Sequence, residues 1–247
     1  HSPTLPRGCD IFGSRVGWKI CCTRANFTNA LPVPAYPVPR ETSQELTRIF
    51  SGEEVVFTYP GLTDARFNFI SGFIYRLLSY YELAFLSEMV LVLVKEIVSN
   101  CSKANAKRIY FEKLKVTPED PEAYHKAIVN FSKSVLREWD DFLAENVSAP
   151  YYIKIRIKVE ETELIFRVEN NVEILSVENE RIQSKFDSFR KFRDINSAFA
   201  EIRDESEGAG LGIFLILSLL DNVSIPVDKY RIYSEQCVTV NEVRLTR

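Results

Sequence analysis

An α+β sandwich, with helices over a mixed, mostly antiparallel sheet, is the fold class this sequence predicts, and three patterns predict it. Tyr151–Val159 and Glu163–Glu169 alternate apolar and polar residues on either side of a short acidic turn. That period of two marks paired strands with one buried face. Tyr230–Ser234 and Thr239–Leu245 repeat the pattern as a closing hairpin. Before and between these segments lie long runs with apolar residues at three- and four-residue spacing, as in Phe69, Phe73, Leu77 and Tyr81. Such spacing lines one face of a helix.

The elements follow in order. Residues 1–45 hold Pro3, Pro6, Pro32, Pro34, Pro37 and Pro39 out of eleven prolines in all. Each removes a backbone donor and biases its predecessor away from helix, so a proline-rich N-terminal arm is expected. One domain is expected over 46–247. It starts with a short helix from Ser43 and a strand over Glu54–Tyr59, closed by the Pro60-Gly61 turn. Two long helices are predicted over Arg66–Leu86 and Glu88–Asn105, then a strand at Arg108–Leu114. Residues 117–147 read as a helical insertion: Pro118 and Pro121 open it, and Ile128, Phe131, Val135, Trp139 and Phe142 space helically. After the first strand pair comes a charged helix, Glu178–Arg203. A glycine-rich motif then leads into an apolar helix, Ile213–Leu220.

Composition narrows the functional classes. Of 247 residues, 46% are hydrophobic and 12% aromatic, enough for a sizeable core. A net charge of -3 argues against broad electrostatic capture of nucleic acid or anionic membrane. Cys9, Cys21, Cys22, Cys101 and Cys237 form no Cys-x-x-Cys pair and have only two histidines for company, so no zinc pattern arises. Reduced thiols in the cytoplasm are the simplest account. The apolar stretch Phe67–Val98 is interrupted by Arg76, Glu82, Glu88 and Lys95, so buried helices are expected there and not a membrane span.

Two motifs carry chemistry. The first is Glu207-Gly208-Ala209-Gly210-Leu211-Gly212-Ile213, at the start of a helix. Glycines let backbone N–H groups approach phosphate oxygens, and a helix N-terminus adds unpaired donors and a favourable dipole. Alone, such a run is as readily a plain turn into a helix. A dinucleotide fold is excluded because no Gly-x-Gly-x-x-Gly is completed and no βαβ unit follows; a P-loop is excluded because no Lys-Ser/Thr ends the motif. The second motif is Glu96, Asn100 and Lys103, which helical spacing sets on one face. A carboxylate orients or activates a nucleophile, an amide oxygen ligates Mg²⁺, and a lysine neutralises phosphate charge.

Glu96-x-x-x-Asn100 with Lys103, followed far downstream by Gly208-Ala209-Gly210-Leu211-Gly212-Ile213, resembles the ATP-binding domain of the gyrase, heat-shock chaperone, histidine kinase and MutL superfamily. The resemblance covers residues 65–247. It implies the histidine-kinase-like ATPase fold, with ATP and Mg²⁺ as cofactors. It implies Asn100 as the magnesium ligand and Glu96 as the general base of the hydrolysing branches. Lys103 matches a basic position of the kinase branch, and Gly208, Gly210, Leu211 and Gly212 match the loop that closes over the triphosphate. Thr239-x-x-x-Val243-x-Leu245 matches the last strand.

The chain departs from the family at one place. The family usually carries Asp-x-Gly-x-Gly between these motifs, with the Asp bonded to the adenine amino group; here stands Val168-Glu169-Asn170-Asn171-Val172-Glu173-Ile174. Asn170 or Asn171 is the expected adenine acceptor, though an amide accepts less strongly than a carboxylate. Val172 and Ile174 are expected to crowd the backbone approach that glycines allow. The histidines are His1 and His125 alone, and His125 in Glu122-Ala123-Tyr124-His125-Lys126 lacks a phospho-acceptor context. Phosphate transfer to an unidentified protein partner in signal transduction, or ATP hydrolysis, is therefore the first expectation. The alternative is a non-catalytic switch, binding nucleotide or only keeping the fold, that holds a partner by its surface.

Overall fold

The computed structural model describes residues 42–117, 120–135, 137–145, 149–192 and 211–246. They form α1 (Thr42–Phe50), β1 (Val55–Tyr59), α2 (Asp64–Tyr80), α3 (Ser87–Leu114), α4 (Pro121–Ser134) and α5 (Trp139–Glu145). Then come β2 (Ile153–Val159), β3 (Glu163–Asn170), α6 (Ser176–Phe192), α7 (Leu211–Asn222), β4 (Tyr230–Glu235) and β5 (Val238–Thr246). The protein is of mixed α+β class. The expected arm over 1–45 lies outside the described residues up to position 41, and so do Gly208, Gly210 and the end of the charged helix beyond Phe192.

The five strands run in the order β1-β2-β3-β5-β4. Every pairing is antiparallel, so the mixed character expected of the sheet is absent from the described strands. Alternation decides the two faces. Ile153, Ile155 and Ile157 of β2, Leu164, Phe166 and Val168 of β3, and Val243 and Leu245 of β5 join one core with Phe73, Leu77, Ile97, Phe214 and Leu217 of the helices. The other face carries charge. Glu169 sits between Arg156 at 2.9 Å and Arg167 at 2.7 Å, and Arg244 reaches Glu163 at 3.1 Å.

Two of the expected elements differ from what is found. The helix expected over Arg66–Leu86 stops at Tyr80, because Glu82 takes a positive φ of 60° and Leu83 N–H turns back to Leu78 O at 2.7 Å. That end is made without a glycine, so nothing in the residue types announced it. The strand expected at Arg108–Leu114 is helical: α3 continues for 28 residues until Lys115, at φ 55°, turns the chain. Ile109, Tyr110 and Phe111 favour strands in isolation, but α4 packs on that end of α3. Phe111 shares a cluster with Tyr124 and Ile128, and Ala106 with Phe131 and Val135. Packing against a neighbour overrides local preference. The segment between α3 and β2 contains α4 and α5, and Asp120 caps α4 by accepting from Ala123 N–H at 3.0 Å. No helix among the described residues is long and apolar enough to cross a membrane.

Candidate functional site

The inner face of the sheet is apolar along most of its length and turns polar at one end. On β3 the inward series Leu164, Phe166 and Val168 continues to Asn170; on β5 the series Leu245 and Val243 continues to Asn241 and Thr239. Asn170 pairs in register with Thr239, and Val168 with Asn241. These three polar residues line one side of a cavity of about 350 Å³. Above them passes α3, which contributes Glu96, Asn100, Lys103 and Lys107, a stripe set by the helical repeat. The start of α7 contributes Gly212 and Ile213, and α6 contributes Glu178, Arg181 and Lys185.

Gly212 ties the two sequence motifs together. A Cβ added at this position would lie 2.1 Å from Glu96 Oε1 and 3.0 Å from Asn100 Nδ2. The N-terminus of α7 thus approaches the α3 stripe so closely, across more than a hundred positions of sequence, that any side chain at 212 would displace Glu96. Glu96, Asn100 and Lys103 form no hydrogen bond or ion pair with any described residue. These three side chains of the stripe face the cavity, whereas Lys107 is paired with Glu178.

The wall behind the stripe is held by a largely buried ion cluster. Glu178, with 14% of its side chain exposed, takes Lys107 Nζ at 2.5 Å and Arg108 at 2.7 Å, and accepts from Leu175 N–H at 3.0 Å. Burial alone would raise the Glu178 pKa, but the charges of Lys107 and Arg108 outweigh it and hold the carboxyl below its ordinary value. Deeper in, Tyr230 donates its hydroxyl to Asn241 Oδ1 at 3.0 Å, and Asn241 Nδ2 meets Cys101 Sγ at 3.6 Å. Burial first, then Cys101 and Glu96, pushes the Tyr230 hydroxyl well above its usual pKa, so it remains a donor. Burial pushes the Cys101 thiol up to about 12, which leaves it an inert thiol.

Of the residues singled out from sequence, Glu96, Asn100, Lys103, Asn170 and Gly212 meet at this cavity. Leu211 opens α7, and Gly208 and Gly210 lie outside the described residues. Asn171 is placed elsewhere: its Oδ1 accepts from Tyr152 N–H at 2.7 Å and its Nδ2 donates to Pro150 O at 2.8 Å, pinning the approach to β2. Val172 and Ile174, where the resemblance leads one to expect glycines, become apolar walls of the cavity. Sequence reasoning missed Lys107, Arg108 and Glu178. Lys107 falls four positions beyond Lys103, so extending the helix would have found it. Among the described residues no cluster of three His, Cys, Asp or Glu side chains suits a metal ion.

No protein-family model matches this chain, and no solved structure matches it. Over 154 residues it is 29% identical to an uncharacterized protein of Treponema pallidum (strain Nichols). That match covers 62% of this chain and 30% of the relative, which is a longer protein.

Proposed function

We propose that this domain binds ATP with Mg²⁺ between α3 and α7, and transfers the γ-phosphate to a partner protein in a signalling pathway or to water. The observation that carries the reading is the contact of Gly212 with Glu96 and Asn100. It sets a helix N-terminus, which favours phosphate, beside a carboxylate suited to a nucleophile and an amide suited to magnesium. Charge supports it too. The lining holds Lys103, Lys107, Arg108, Arg181 and Lys185 against Glu96, Glu173 and Glu178, a balance that favours an anionic ligand.

Each side chain has a role on this reading. The Asn100 amide oxygen suits Mg²⁺, a hard cation that takes oxygen ligands and uses few of them from protein when phosphates supply the rest. The ion, when bound, neutralises charge on the triphosphate. Lys103 adds a point charge to the same end. Glu96 holds and deprotonates the nucleophile, whether water or a partner hydroxyl. The apolar residues Val172, Ile174, Ile213 and Ile232 exclude water and offer a surface for a flat base. Asn100→Ala should remove the magnesium dependence of ATP binding and leave the fold intact, since Asn100 holds no described residue in place. Calorimetric titration with and without Mg²⁺ checks this, and full magnesium dependence in the variant contradicts the assignment.

A second reading rests on the base end of the cavity. Val172 and Ile174 narrow a place where the resemblance calls for glycines, and this favours weak binding by a non-catalytic switch that uses nucleotide to adjust its grip on a partner. Turnover separates the two.

A further inference from the structure

Asn170 donates its Nδ2 to Asn105 Oδ1 at 3.0 Å, and Asn105 donates its own Nδ2 to the backbone oxygen of Tyr152 at 3.2 Å. Both asparagines are buried, at 1% and 5% exposure. The chain of bonds has a fixed polarity. A backbone carbonyl can only accept, so Asn105 must turn its NH₂ to Tyr152 and its oxygen to Asn170. Asn170 must therefore turn its NH₂ away from the cavity, because Asn105 and Tyr152 are not part of the cavity lining and Asn170 is. What remains for the cavity is the Asn170 Oδ1, which bonds no described residue. An acceptor turned toward the cavity, beside the apolar Val172 and Ile174, suits a donor from the ligand.

We infer that Asn105 is a positioning residue that locks Asn170 as an acceptor, and so selects a 6-aminopurine over a 6-oxopurine. This rests on the nucleotide reading above and deepens it. An amide free to rotate would offer either end and discriminate little. Held by Asn105, it offers only oxygen: the 6-amino group of ATP donates to it, whereas the 6-carbonyl of inosine triphosphate meets it oxygen to oxygen. The same polarity explains why an amide stands at 170 in place of an aspartate. With Asn105 Oδ1 facing it, a carboxylate would set two acceptors against each other. The departure at Asn170 and the buried Asn105 are one feature, made of residues 65 positions apart.

The test is parallel calorimetry of the full chain with Mg²⁺-ATP and Mg²⁺-inosine triphosphate. The wild-type protein should prefer ATP roughly tenfold or more. Asn105→Leu, which removes both amide bonds, should bring the two affinities together while the protein still melts cooperatively. Asn105→Asp keeps an acceptor for Asn170 Nδ2 and should retain the preference, although its second oxygen then faces the Tyr152 carbonyl and lowers stability; a merely structural role would lose the preference along with the stability. Should Asn105→Leu fail to fold, loss of the preference in a folded Asn105→Asp overturns the role given to Asn105. Equal binding of both nucleotides by the wild-type protein overturns the inference and leaves the nucleotide reading standing. Binding of neither overturns both.

Discussion

Removing the Glu96 carboxylate as Glu96→Ala should lower ATP turnover by about two orders of magnitude or more and leave nucleotide binding in place. General-base assistance contributes roughly this much where a positioned side chain takes the proton of the nucleophile. Glu96 has no described partner whose loss would unfold the domain, so the effect should fall on rate and not on stability. Gly212→Ala should reach a similar end by displacement: its Cβ would occupy the space of Glu96 Oε1, and that flexible side chain would swing aside. Steady-state phosphate release decides for the hydrolytic branch. If the natural acceptor is a partner's side chain, the isolated wild-type protein turns over slowly, and the same loss appears in transfer to that partner. Robust turnover by wild type, matched by an equally active Glu96→Ala, removes Glu96 from the chemistry.

Glu178→Ala should destabilise the fold by about 3–5 kcal/mol, the usual consequence of taking one member from a buried ion cluster. Lys107, with 11% of its side chain exposed, and Arg108 would lose their shared carboxylate, and Leu175 N–H its acceptor. The effect has a defined pH course. The folded-state pKa of Glu178 is lowered from 4.5, so its contribution is fully present above the unfolded value and fades as pH falls through the lower folded value. Chemical melts should therefore show a constant gap between wild type and variant at pH 6 to 8 that narrows below about pH 4. A gap under about 1 kcal/mol at neutral pH, the size of a surface pair, contradicts the account of this cluster.

What could be read in advance depended on how local its cause was. The strands β2, β3, β4 and β5 were legible because alternation over six to nine residues is a property of the segment itself. Glu96, Asn100 and Lys103 were legible as a stripe for the same reason. The last turns of α3 were not, since Phe111 is helical through contact with Tyr124 and Ile128 of a later helix. Misreading those turns as a strand hid Lys107 and Arg108, and with them the meaning of Glu178. Asn170 and Asn171 were equal candidates in sequence. They part only because strand alternation points Asn170 inward, to Asn105, while Asn171 binds the backbone at Pro150 and Tyr152. No property of the residue pair alone distinguishes them.

The measurement that bears most directly on the central claim is titration of the wild-type protein with ATP in excess Mg²⁺, by calorimetry and thermal melting together. The predicted result is a saturable heat with a dissociation constant in the micromolar to millimolar range, and a rise in melting temperature that follows mass action. At about 100 times the dissociation constant the added stability should be roughly 2.7 kcal/mol. Absence of heat, with an unchanged melting temperature at saturating millimolar Mg²⁺-ATP, would contradict the claim that Glu96, Asn100 and Gly212 frame a nucleotide site.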